Sequence, residues 1–279
     1  MMHDPIIALL LGALGLVIGS FLNVAIHRLP KMMEHQWAAE AAEFSGAEPP
    51  EVPTFNLMVP RSRCPHCGHQ IRWYENIPLL SYAALGGKCS SCKRGISLRY
   101  PTVELVTGAL FGWSAWQFGT TPTMGIWCLY SALLLTLALI DWDTTFLPDD
   151  LTYPLLWAGL LASALGWTAV PLLHAVWGAA AGYLSLWLIY WAFKLLTGRE
   201  GMGYGDFKLL AALGAWLGWQ AILPIVLMAS VIGAIVGIAL KVSGGLREGR
   251  YVPFGPFLAG GGAVVILAGT ARVLGWIGQ

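Results

Sequence analysis

The chain has 279 residues, 57% of them hydrophobic and only 11% charged, with a formal net charge of +1. Soluble domains carry about 25% charged residues, and the mean hydropathy here is +0.65, so a soluble globular protein is excluded. No basic arm or long charge run points to nucleic acid, and the expected surroundings are the lipid bilayer.

Apolar runs long enough to cross a bilayer fall at 5–26, 103–119, 123–140, 151–167 and 170–196, and three more follow at 209–222, 224–240 and 254–277. Pro224 is expected to kink or separate the sixth from the seventh. No small-residue cleavage site follows the first run and basic residues come straight after it, which reads as an anchor rather than a removed signal peptide. The 14 tryptophans suit belts at the two membrane interfaces. The expectation is an all-α polytopic membrane protein of about eight transmembrane helices, divided as 1–27, 28–100 and 101–279.

Lys and Arg placement orients the spans. With Arg28 on the cytoplasmic side, every Lys and Arg except Arg272 lies in a cytoplasmic loop or at its edge. Both termini then lie on the outer side, and the loops 28–100, 141–150, 197–208 and 241–253 lie inside.

The first loop reads as two parts. Residues 35–60 are rich in Ala, Glu and Pro and are expected to be a loosely ordered insertion, with a short Ala/Glu helix at most. Residues 61–100 form a compact module around Cys64-Pro-His-Cys67 and Cys89-Ser-Ser-Cys92, with positions 68 to 88 between the pairs. Paired CxxC knuckles present four thiolates tetrahedrally to zinc, and cytoplasmic thiols stay reduced, which favours metal over disulfides. A stretch of roughly 40 residues has too little core to fold unaided, and a metal supplies the missing stability. The expected module is zinc-ribbon-like, with a closed structural Zn2+ site at Cys64, Cys67, Cys89 and Cys92. His66 and His69 read as surface residues and Cys128 as a small buried hydrophobe.

Two acidic clusters end apolar runs on the same side. One is Asp141-Trp142-Asp143; the other is Asp206 in Gly201-Met202-Gly203-Tyr204-Gly205-Asp206-Phe207-Lys208. Ionisable residues at bilayer depth are functional candidates by default, and the glycines let the backbone turn tightly. Two close carboxylates share a proton and titrate as a pair. One then takes a proton from water while the other polarises a peptide carbonyl, which suits peptide hydrolysis. Helix capping alone is the competing account of Asp206. For Asp149 and Asp150, before the fourth span, capping is the preferred account. Lys208 either neighbours Asp206 or snorkels to the interface.

These residues resemble type IV prepilin peptidases, polytopic aspartic proteases of the GxGD class. Gly203-Tyr204-Gly205-Asp206 matches the class motif, and Asp141, seven residues before Pro148, matches the other catalytic aspartate. The likeness runs nearly end to end, through Gly19-Ser20-Phe21-Leu22-Asn23-Val24, Arg28-Leu29-Pro30, Pro60-Arg61-Ser62-Arg63-Cys64-Pro65, Glu75-Asn76-Ile77-Pro78, Arg99-Tyr100-Pro101 and Pro253-Phe254-Gly255-Pro256. The resemblance implies catalytic Asp141 and Asp206 in a bacterial inner-membrane enzyme. Such an enzyme removes the leader of type IV prepilins and pseudopilins after glycine, then N-methylates the new N-terminus with S-adenosylmethionine. Asp143 is left as a supporting or ordinary acid. No residue is assigned to the methyl donor; His27, Arg28, Glu75, Asn76, Tyr100 and Glu104 are conceivable contacts. Two other classes remain: an ion-coupled transporter using the two aspartates, and a zinc-dependent assembly scaffold. The oligomeric state is open.

Overall fold

A computed structural model describes residues 4–48, 53–244 and 252–277. Its regular elements are helical; the β pairing among the described residues is two isolated bridges, Arg63 with Gln70 and Lys88 with Gly95. The chain divides into two compact units, Met1–Ala132 and Leu133–Gln279.

The first unit is built on α1 (Pro5–Ser45), the short α2 (Leu80–Ala84), α3 (Arg99–Phe118) and the start of α4 (Pro122–Thr144). The Asp4 carboxylate caps α1 by accepting from the Ile6 N–H at 2.9 Å, and Pro5 occupies the first turn, where its missing N–H costs nothing. The helix does not stop with its apolar run. Residues 31–45 continue it, so the first part of the 35–60 stretch expected to be loosely ordered is helix, because Met, Glu, Gln and Ala are strong helix formers and Pro30 is tolerated inside the helix. Gly46 ends it in the left-handed region, φ 67°, with its N–H on the carbonyls of Ala42 and Glu43. Residues 53–60 form no regular element. Arg28 ties them to α1, donating to the carbonyls of Asn56 (2.8 Å) and Pro60 (2.6 Å).

α1 and α3 pack backbone to backbone. A Cβ added at Gly15 would lie 2.8 Å from Gly108 Cα, and one at Gly19 would lie 2.7 Å from Glu104 Cα. Small residues that let backbones approach are how helices associate in lipid, where burial of apolar surface gives no drive.

The second unit continues from α4 through α5 (Asp149–Ala164), α6 (Leu172–Thr197), α7 (Tyr204–Leu217), α8 (Ile222–Val242), α9 (Gly255–Ala268) and α10 (Thr270–Ile277). Its centre is α7, buried almost continuously from Asp206 to Trp216. The Trp216 indole N–H donates to the Leu155 carbonyl at 2.8 Å, and a side chain at Gly178 would collide with the Gly214 backbone.

Two expected boundaries move. The sixth and seventh runs separate at Gly218 (φ 82°) and a short turn at Trp219–Ala221, not at Pro224, which is buried in the first turn of α8, where a proline is tolerated. The last run is broken at Gly269 (φ 83°) into α9 and α10. Four helical segments among the described residues are long and apolar enough to cross a membrane: Pro5–Ser45, Pro122–Thr144, Leu172–Thr197 and Trp219–Val242. The chain is an integral membrane protein.

Candidate active site and metal centre

Asp141 sits in the last turn of α4. That helix is stopped by Thr145, which takes a left-handed φ of 57° and returns its N–H to the Asp141 carbonyl at 2.7 Å. The Asp141 side chain is 4% exposed, and its Oδ2 accepts the Gly255 N–H at 2.9 Å. Gly255 opens α9, so this N–H is one of those a helix leaves unpaired at its N-terminus. A Cβ at position 255 would come within 2.6 Å of that same oxygen. Only glycine leaves room for the contact.

Asp206 lies in the first turn of α7, after Gly203 as its N-cap. An acid is favoured there by the helix dipole, yet this one is 8% exposed rather than solvated. Gly205 lets it in: a Cβ there would lie 2.8 Å from Leu147 Cβ. Behind the turn, Tyr190, Tyr204 and Phe207 pack with ring centroids 5.2 to 5.7 Å apart. The fold brings Asp206 close enough to Asp141 for the charge of one to act on the other.

The remaining acids separate from this pair. Asp143 is half-buried two residues after Asp141, about 200° further round the helix, so the two do not share a face. Asp149 is in the first turn of α5 and pairs with Lys208, whose Nζ donates to both carboxylate oxygens at 2.7 and 2.8 Å. Lys208 is therefore committed to Asp149, and Asp150 stays exposed.

The cysteines converge in the first unit. Two tight turns of the same kind hold them. Cys64 N–H meets the His69 carbonyl and Cys89 N–H the Arg94 carbonyl, at 2.9 and 2.8 Å. The residue after each second cysteine, Gly68 (φ 71°) or Lys93 (φ 58°), is left-handed. The four sulfurs lie within 4.8 Å of one another. A tetrahedral ion with bonds of about 2.3 Å sets its sulfurs about 3.8 Å apart; Cys64 to Cys92 is 3.9 Å and Cys67 to Cys89 is 4.0 Å. The donor set fits a thiophilic ion. The His66 and Cys67 backbone N–H groups, aimed at the Cys64 sulfur, hold its thiol down to about 6. His69 turns instead to Glu75 and Ser90, at 3.2 Å each, and His66 to Arg94. The Arg72 backbone N–H, the Ser90 hydroxyl and His69 together hold the Glu75 carboxyl down to about 2.

Gly255 is the site residue that reasoning from the sequence did not single out. Its only trace there is the Pro253-Phe254-Gly255-Pro256 motif, which carries no chemistry until the fold sets it against Asp141.

Comparison with known proteins places both parts of the chain. Residues 13–118 match the bacterial peptidase A24 N-terminal domain, and residues 128–238 match the type IV leader peptidase family. A prepilin leader peptidase/N-methyltransferase of Pseudomonas aeruginosa is 55% identical over 257 residues, which is 92% of this chain and 88% of that protein. One of Stutzerimonas stutzeri is 53% identical over 259 residues (92% and 89%), and one of Aeromonas salmonicida 53% over 265 (92% and 89%). No solved structure matches the chain. Both family domains in order, and relatives alike over nearly their whole length, mean that the chain belongs to the type IV leader peptidase family.

Proposed function

We infer that the protein cuts the leader from type IV prepilins and pseudopilins by aspartic-protease chemistry, and then N-methylates the new N-terminal residue. The observation that carries this is a pair of buried carboxylates, Asp141 and Asp206, near enough for the Asp141 charge to act on Asp206, in a chain whose relatives bear both activities in their name. Shielded from water, such a pair shares one proton. The charged member takes a proton from the attacking water, the protonated member polarises the scissile carbonyl, and no covalent intermediate forms. The Gly255 N–H fixes where the Asp141 oxygen points. Neither the transporter nor the scaffold reading draws support from these relatives.

Cys64, Cys67, Cys89 and Cys92 hold a structural Zn2+, which links the two turns and leaves no open coordination position for catalysis. S-adenosylmethionine supplies the methyl group for the second step. Eight spans remain the reading for the membrane region, adding α3, α5, α7 and α9 to the four apolar segments. At 14 residues, α7 reaches only about 21 Å, short of the roughly 30 Å hydrocarbon core; enclosure by its neighbours is what lets it serve. The division into 1–27, 28–100 and 101–279 follows from that reading, and the Lys and Arg distribution supports an orientation in a bacterial inner membrane with the cation-bearing loops in the cytoplasm.

The test is to incubate the purified chain with a prepilin-type substrate, with and without S-adenosylmethionine, and read the mature N-terminus by mass spectrometry. Cleavage after glycine in both samples, with one added methyl mass only when the donor is present, supports the reading. An intact leader in both overturns it.

A further inference from the structure

Asp206 lies in the first turn of α7, so its place depends on how the link 198–203 delivers the chain from α6. That link has little hold of its own. Gly198 closes α6 in the left-handed region, φ 69°, with its N–H on the Lys194 carbonyl at 2.8 Å. Gly203 caps α7 without a side-chain hydrogen bond. Glycine loses more conformational freedom on ordering than any other residue, so a link of this composition is fixed by what it touches.

It touches the last turns of α6. Gly201 passes so near Phe193 that a Cβ there would lie 3.0 Å from the ring. The exposed Glu200 accepts from Lys194 Nζ at 2.8 Å. The same Nζ donates to the Tyr190 hydroxyl at 3.2 Å and lies 5.4 Å from the centres of the Tyr190 and Trp191 rings. Tyr190 is 2% exposed. Its ring packs on Tyr204 and Phe207, at 5.3 and 5.7 Å, which stand two residues before and one after Asp206. One ammonium group therefore joins the link to the aromatic packing behind the aspartate. An exposed ion pair contributes little by itself; the second hydrogen bond and the ring contacts are what set Lys194 apart from a surface cation.

We propose that Lys194 is a positioning residue for peptide cleavage: it holds the link 198–203 on α6 and thereby sets Asp206 against Asp141. This inference rests on the aspartic-peptidase reading above. Without Lys194 the start of α7 drifts, and a carboxylate displaced from its partner slows the chemistry without changing how the leader binds.

Leader cleavage by the full chain in lipid nanodiscs, measured over a range of concentrations of a prepilin-type substrate, tests it. Lys194→Met keeps an apolar stem and removes the charge and both donations. Its kcat is expected to fall about three- to tenfold with KM unchanged, and its Tm to stay close to that of the wild type. Lys194→Arg, which keeps the charge and the donors, should restore kcat. Glu200→Gln breaks the same contact from the side of the link. Combined with Lys194→Met it should be no slower than Lys194→Met alone, as for two residues acting through one contact. A wild-type kcat in Lys194→Met, a raised KM at unchanged kcat, equal losses in Lys194→Met and Lys194→Arg, or losses that multiply in the double variant would each overturn the proposal and leave the aspartate pair as it stands. Where Lys194→Met does not fold, Glu200→Gln decides, because that side chain is 69% exposed: a wild-type kcat there overturns the proposal. A wild type that cuts no leader removes the peptidase reading, and the proposal with it.

Discussion

Gly255→Ala probes the candidate site at its narrowest point. The added methyl would stand 2.6 Å from Asp141 Oδ2 and 3.2 Å from Cγ, so the carboxylate must retreat by about half an ångström or more. The Gly255 N–H to Oδ2 distance, 2.9 Å at present, would then open beyond the range in which hydrogen bonds hold. Losing a hydrogen bond to a charged group costs about 1.5–3 kcal/mol, which corresponds to about a 10- to 150-fold fall in kcat/KM. Alanine is the better helix former by about 1 kcal/mol, so a weakened helix α9 does not explain such a loss. Gly260→Ala is the matched control in the same helix, because a Cβ there meets nothing within 4 Å. Both variants would be assayed for leader cleavage in membranes at equal protein level. If Gly255→Ala cleaves as fast as Gly260→Ala, the amide does not position Asp141 for catalysis and that part of the mechanism is wrong.

Other perturbations separate structure from chemistry. Cys64→Ser with Cys67→Ser should abolish metal binding, taking the zinc measured by mass spectrometry from one per chain to none, and should expose residues 61–98 to protease. Retention of stoichiometric zinc would contradict a four-cysteine site. Gly19→Leu forces a side chain against Glu104 Cα, 2.7 Å from the first added carbon. It should cost about 1–3 kcal/mol, read as a fall of several degrees in Tm in detergent; an unchanged Tm would mean that α1 and α3 do not pack this closely. Lys208→Met breaks a half-exposed ion pair with Asp149, worth at most about 1 kcal/mol. Leader cleavage should therefore fall no more than about fivefold; abolished cleavage would move Lys208 into the catalytic site.

What could be read from the chain in advance follows a physical division. Asp141 and Asp206 stand out because a carboxylate is costly at the end of an apolar run, and the cysteines stand out because their spacing is that of a tetrahedral ligand set. Gly255 could not be recognised by composition: a glycine before an apolar run is ordinary, and its role comes from an oxygen 114 positions away. The same holds for Lys208, whose proximity in sequence suggested Asp206 while the fold gives it to Asp149, 59 positions away. The course of α1 past Ile26 was hidden for a different reason. Apolar periodicity marks where a helix meets lipid, whereas 31–45 is helical by propensity, leaving Phe44 95% exposed. Both displaced helix boundaries fall at glycines with positive φ, Gly218 and Gly269. In a chain with 34 glycines, which of them turn the backbone is settled by packing.

The most direct measurement is leader cleavage of a prepilin-type substrate by membranes carrying Asp141→Asn, Asp206→Asn or Asp143→Asn, with insertion of each variant verified. A carboxylate pair acting as one unit requires both members, so either of the first two substitutions should abolish mature product, while Asp143→Asn should cut at close to the wild-type rate. Full cleavage by Asp141→Asn or Asp206→Asn would show that the buried pair does not perform the hydrolysis.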